Sequence, residues 1–130
     1  MIDHVSITVP DIAAAARFYD AVMAALGVPT VGRDEHWLGY GLRADAASPE
    51  RSYLSIRLGA MPEAAPGRHW CLKAPGRVAV DRFWQAGLAA GGADDGAPGL
   101  RPHYHPHYYA AFLRDPAGNR VEAVCHGEHA

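Results

Sequence analysis

The sequence has few cysteines, no long hydrophobic run and no concentration of basic residues. Its two cysteines, Cys71 and Cys125, are far apart and form no CxxC pair, so a disulfide-stapled scaffold does not fit. No apolar stretch approaches the ~20 residues that a membrane helix needs, so we expect no membrane association. The twelve Lys and Arg residues are scattered, which argues against a nucleic-acid partner.

The start of the chain also lacks the features of a secretion signal. Asp3 and His4 interrupt the first apolar run, and no basic segment precedes it. Together with the unpaired cysteines, this leads us to expect a cytoplasmic protein. The 130 residues are 49% hydrophobic, which is enough for the core of one domain over residues 1–130.

An internal repeat organises the chain. Residues 4–27, HVSITVPDIAAAARFYDAVMAALG, align without a gap with residues 69–92, HWCLKAPGRVAVDRFWQAGLAAGG. The informative identities are His4/His69, Pro10/Pro75, Arg17/Arg82, Phe18/Phe83 and Gly27/Gly92. A repeat of this length indicates two copies of one supersecondary unit.

Each copy reads as a strand followed by a helix. Residues 2–9 alternate apolar and polar side chains, which is typical of a half-buried strand. Pro10 ends it, Asp11 can cap a helix, and Gly27 can close that helix in the left-handed conformation.

After each helix the pattern returns to short strands. We predict strands over residues 37–42, 52–58, 108–114 and 119–126, with a hairpin turn over residues 115–119. Residues 93–107 read as a loop with at most a short strand. One strand per half is inferred by completing the pattern β-α-β-β-β.

The two halves should form one folding unit. Module 1 covers about residues 1–60 and module 2 about residues 67–127, and a unit of that size is marginal alone. We therefore predict an α+β fold of two βαβββ modules in a pseudo-twofold arrangement. Their strands should form a curved mixed sheet around a metal cleft.

Three side chains suggest a metal site. His4 and His69 begin the first strand of each module, on the face opposite the apolar residues. Glu122 is a carboxylate within an apolar strand, where a charge needs a partner. Two imidazoles and one carboxylate with open positions form a ligand set for a divalent metal that also binds substrate.

The chain resembles the vicinal-oxygen-chelate superfamily, which includes glyoxalase I, bleomycin-resistance proteins and extradiol dioxygenases. The matching segments are IDHVSITVPDIAAAARFYDAVMAALG, HWCLKA and FLRDPAGNRVEAVCH. The resemblance implies that His4, His69 and Glu122 are metal ligands and that the protein is a homodimer. Residues 53–57 lack the fourth ligand of glyoxalase I, which weakens a lactoylglutathione lyase assignment.

A loop rich in histidine and tyrosine precedes the penultimate strand. Residues 101–109 read RPHYHPHYY. Histidine titrates near neutral pH and tyrosine can hydrogen-bond an oxyanion, so His105, His107 and Tyr108 are candidate catalytic residues. The alternative is an exposed loop shaped by its prolines, with aromatic rings packed on the sheet.

Two functions remain open at this point. The first is a divalent-metal-dependent enzyme of the dioxygenase or lyase/isomerase type, acting on a small substrate that chelates the metal through vicinal oxygens. The ion would be Fe, Mn, Mg, Ni or Zn, and the ligand set does not choose among them. The second is a non-catalytic binder of small molecules, similar to bleomycin-resistance proteins, for which an intact ligand set would be unnecessary.

Overall fold

The two modules repeat the same order of elements. A computed structural model describes residues 1–128. The first module contains β1 (His4–Val9), α1 (Ile12–Leu26), β2 (Thr30–Asp34), β3 (Trp37–Gly41) and β4 (Tyr53–Leu58). The second contains β5 (Trp70–Lys73), α2 (Arg77–Ala89), β6 (Ala93–Leu100), β7 (Tyr109–Arg114) and β8 (Arg120–Cys125).

Each module forms its own four-stranded mixed sheet. The strand orders are β1-β4-β3-β2 and β5-β8-β7-β6. In both sheets the first strand pairs in parallel with the last strand of its module, and the other pairs are antiparallel. The predicted α+β fold of two βαβββ modules is confirmed, and the strands form two sheets rather than one.

Local sequence signals determine the ends of the first helix. The Asp11 carboxylate accepts a hydrogen bond from the Ala14 amide at 3.0 Å, which satisfies a free donor in the first turn. Gly27 adopts a φ of 72°, in the left-handed region that glycine enters without steric cost. Both predicted caps are confirmed.

The core lies where the two helices pack against each other and against one face of the sheets. Phe18 and Val22 of α1 and Val80 and Phe83 of α2 have no exposed surface, and Leu113 of β7 joins them. Burial of large apolar side chains is the main stabilising contribution. Since the helices occupy this face, the opposite faces of the sheets carry the polar side chains.

A buried carboxylate organises the hairpin between β7 and β8. One oxygen of Asp115 accepts from the Ala117 and Asn119 amides, at 2.9 Å each. The other accepts from the Tyr19 hydroxyl of α1 at 2.6 Å. The predicted turn is therefore present, and it is tied to the first module.

One prediction about the elements is wrong. Residues 93–100 were expected to be mainly loop but form the eight-residue strand β6. It pairs with β7 through a ladder with two register shifts, around Gly96 and Gly99. Across residues 1–128, neither helix has the length and apolar character to span a membrane.

Candidate metal centre

Glu122 is the central group of the candidate site. It lies on β8 directly between Cys71 of β5 and Phe112 of β7 in the strand register. Only 2% of its surface is exposed, although it is on the sheet face away from the helices. The Tyr108 hydroxyl donates to its Oε1 at 2.6 Å, and His69 Nε2 lies 3.1 Å from its Oε2.

The surroundings of Glu122 keep neighbouring acids protonated. Burial, followed by the hydrogen bond to Glu122, raises the pKa of the Tyr108 hydroxyl above its usual range. Burial and the same carboxylate raise the pKa of the Cys71 thiol to about 12. Tyr108 is therefore a hydrogen-bond donor to Glu122 near neutral pH.

His69 and Glu122 fit a divalent metal as a pair of adjacent ligands. Ligand nitrogen and oxygen atoms about 2.1 Å from one ion lie roughly 3 Å apart when they subtend a right angle. The observed 3.1 Å between His69 Nε2 and Glu122 Oε2 agrees with that spacing. The Tyr108 hydrogen bond would hold the carboxylate in place, as partners of ligating groups commonly do.

His4 lies on the other sheet, away from this pair. Its Nδ1 is 2.7 Å from Asp3 Oδ2, and its ring stacks on Tyr53 of β4 with centroids 5.1 Å apart. Within residues 1–128 of a single chain, no three His, Cys, Asp or Glu side chains are grouped to hold an ion. The structure thus brings together two of the three predicted ligands.

One of the three predicted catalytic residues hydrogen-bonds Glu122. Tyr108 makes that contact, while His105 Nε2 lies 2.9 Å from His126 Nδ1. The Tyr108 ring meets both imidazoles at steep angles, with centroids 5.3–5.5 Å apart. His107 points elsewhere and lies 3.1 Å from Glu128 Oε1.

The face of the first sheet carries a second cluster that the sequence did not reveal. Arg43 contacts the rings of Trp37 and Tyr53 there, and Tyr53 stacks on His4. Residues 37–42 were correctly predicted as a strand, and Gly39 and Gly41 alternate with buried residues. That spacing of glycines was the available signal for a flat surface on this face.

Fold and candidate site together define a two-module α+β protein whose second sheet carries a buried carboxylate, Glu122, beside the imidazole of His69. The chain belongs to the Glyoxalase/Bleomycin resistance protein/Dioxygenase superfamily, whose family model matches residues 1–123. The resemblance found in the sequence is therefore confirmed. No curated protein matches the sequence.

Solved structures with this fold cover nearly the whole chain. A glyoxalase/bleomycin resistance protein from Albidiferax ferrireducens is 27% identical, with a TM-score of 0.77 over 95% of this chain and 96% of its own. A lactoylglutathione lyase from Agrobacterium tumefaciens is 21% identical, with a TM-score of 0.61, and 95% of this chain and 92% of its own chain are covered. At that identity the likeness to the lyase concerns the fold alone.

Proposed function

We propose that this protein is a divalent-metal-dependent enzyme whose small substrate binds the metal through vicinal oxygens, with His4, His69 and Glu122 as ligands. The observation that carries the proposal is Glu122, a buried carboxylate 3.1 Å from an imidazole nitrogen and hydrogen-bonded to Tyr108. A buried carboxylate without a cationic partner is costly, and a metal ion would offset that cost.

The third ligand is best supplied by a second copy of the chain. His4 is on the first sheet, whereas Glu122 is on the second sheet and contacts His69, which directly precedes β5. In a homodimer, the first sheet of one subunit facing the second sheet of the other would bring His4 of one subunit to the pair of its partner. A twofold dimer would then contain two equivalent sites.

The side chains around Glu122 have separable roles in this proposal. A bound Fe, Mn, Mg, Ni or Zn ion would act as a Lewis acid that stabilises negative charge on the substrate oxygens. Tyr108 orients the carboxylate through its hydrogen bond. His105 and His126 share one hydrogen bond, so this pair can accept or release a proton at the rim of the site. His107 is a further candidate, though its contact is with Glu128.

Metal analysis of purified protein tests the proposal. We expect about one ion per chain by mass spectrometry after reconstitution with Fe, Mn, Mg, Ni or Zn in separate samples. His69→Ala and Glu122→Gln should lose it, because each removes a ligand. Tyr108→Phe should bind roughly 10–100-fold more weakly. His36→Ala is the control, since that imidazole is exposed and lies beside Glu35 rather than Glu122.

Two outcomes would contradict this function. One is a protein that retains no ion with any of the five metals, which would favour a non-catalytic binder. The other is metal retention by both His69→Ala and Glu122→Gln, which would place the ion elsewhere. A cytoplasmic location and the absence of a nucleic-acid partner remain parts of the same proposal.

A further inference from the structure

The face of the first sheet opposite the helices carries a flat aromatic surface. The Trp37 indole lies over Gly39, where an added Cβ would clash with the ring, and beside Gly32, where one would come within 3.1 Å of it. The indole N–H donates to Ser55 Oγ at 2.7 Å, and Ser55 is buried beneath it. Glycines below and a hydrogen bond at the edge therefore hold the ring flat on the sheet.

A guanidinium group covers this aromatic surface. Arg43 Cζ lies 5.3 Å from the centroid of Trp37 and 5.4 Å from that of Tyr53. Both distances are within the range of cation–π attraction. On its other side Tyr53 stacks on the His4 ring, with an interplanar angle of 20°. Arg43 thus bridges the Trp37 ring and the stacked pair of Tyr53 and His4.

The positive charge on this face is not neutralised within residues 1–128. The arginines that pair with carboxylates there are Arg33, Arg51, Arg114 and Arg120. Arg43 is not among them, and neither is Arg57, which lies directly opposite Trp37 in the strand register. Two cationic side chains thus adjoin a half-buried aromatic surface without an anionic partner in that part of the chain.

We propose that this surface binds an aromatic carboxylate, a ligand with a planar ring and a negative charge. The surface is formed by Trp37, Arg43, Tyr53 and Arg57. The ring would lie on Trp37, and Arg43 would move from the indole to pair with the carboxylate, since guanidinium and carboxylate match as a bidentate pair. The inference rests on the proposed function in placing the substrate beside His4, and it names the substrate class of that site.

The test uses a matched set of small molecules on chelator-treated protein. 2-Naphthoate supplies ring and charge, 2-naphthamide supplies the ring without the charge, and decahydro-2-naphthoate supplies the charge without the aromatic face. Calorimetric titration should show that 2-naphthoate binds at least about tenfold more tightly than either analogue. The indole N–H resonance of Trp37, assigned with Trp37→Phe, should shift on titration.

Variants separate the contribution of the charge pair with Arg43 from that of ring stacking on Trp37. Arg43→Gln should weaken 2-naphthoate binding about tenfold and leave 2-naphthamide unchanged. Gly39→Ala should weaken both ligands, because its methyl group displaces the indole. Arg82→Gln is the control, an exposed arginine on α2. Thermal unfolding of each variant checks that it is folded, and Arg43→Gln tests the proposal even if Gly39→Ala fails to fold.

The inference is overturned if 2-naphthoate does not bind, if acid and amide bind equally, or if Arg43→Gln binds like the unaltered protein. Because the titration is done without metal, its failure leaves the metal analysis intact. A protein that binds 2-naphthoate but no metal would instead refute the proposed function, and the proposal of an aromatic carboxylate site would still hold.

Discussion

The Asp20 side chain links three elements of the first module, because this residue of α1 hydrogen-bonds to β2 and β3. Its carboxylate accepts from Arg33 at 2.6 and 3.2 Å and from the Tyr40 hydroxyl at 2.7 Å. The hydrogen bond from Arg33 lowers the pKa of Asp20. Because the pKa in the folded state lies below the value of about 3.9 in an unfolded chain, the pair stabilises the fold above that pH.

Asp20→Asn should accordingly lower the melting temperature at pH 7, by roughly 1–4 °C for a half-exposed ion pair. The difference from the unaltered protein should shrink as the pH falls through the folded-state pKa of Asp20. Thermal melts at pH 7 and pH 3 measure it, with the exposed Glu50→Gln as control. A difference that stays constant between the two pH values would contradict the assignment.

Single residues also mark the limit of what the sequence reveals about the site. Glu122 could be recognised because a charge in an apolar strand is costly without a partner, and it is indeed buried. Trp37 and Arg43 could not be recognised, because their contact depends on how a residue beyond β3 folds back over the strand. An aromatic residue in a strand most often signals packing alone.

At the scale of elements, the contact between α1 and α2 depends on a glycine. A Cβ on Gly87 would clash with Leu113 and would lie 3.0 Å from Val22 Cγ1 and 3.2 Å from Phe18 Cε2. These atoms belong to the fully buried core, so they have little room to move.

Gly87→Ala should therefore destabilise the protein, although alanine is the better helix former. Overpacking costs roughly 1–3 kcal/mol, against a gain of about 1 kcal/mol in helix propensity. Denaturant unfolding should give a lower midpoint for Gly87→Ala. Gly67→Ala, where nothing lies within 4 Å of the added methyl, should be nearly neutral. Equal stability of the two variants would contradict this prediction, because it would show that α1 and α2 can move apart to accommodate the added methyl group.

Elements with strong local signals were predictable, whereas the edge strands β2 and β6 were not. The helix α1 has an Asp cap, an apolar stripe and a closing glycine, and its bounds agree with the prediction. The strand β6 reads Ala-Asp-Asp-Gly-Ala-Pro-Gly-Leu, which contains almost no residues that favour strands. Its pairing with β7 comes from the module as a whole, which a local pattern cannot show.

At the scale of the whole molecule, the composition of the site depends on whether the two modules that face each other belong to one chain or to two subunits. The sequence repeat predicts a histidine at the start of the first strand in each module. His4 begins β1, whereas His69 lies one residue before β5. Whether the two histidines meet within one chain depends on the arrangement of the sheets. In the single chain His4 belongs to the first sheet and His69 leads into the second, which is the physical reason for proposing that a second subunit completes the site.

Mixing two inactive variants distinguishes a shared site from one within a chain. His4→Ala and Glu122→Gln should each fail to bind metal as pure proteins. If the site is shared, a heterodimer of the two variants has one intact site, built from His4 of the Glu122→Gln subunit and His69 and Glu122 of the His4→Ala subunit. After unfolding and refolding together, an equal mixture should bind about a quarter of the metal bound by the unaltered protein, since half of random dimers are mixed and each has one site.

The control for this experiment is a mixture of His69→Ala and Glu122→Gln. Those two residues contribute to the same half of the site and contact each other, so no pairing of these variants reassembles an intact one. Metal recovered only in the first mixture requires that His4 and Glu122 act from different chains. Recovery in neither mixture, with dimers shown by sedimentation, would mean that each chain must bring its own His4 to Glu122. The sheets would then have to move relative to each other when the ion binds.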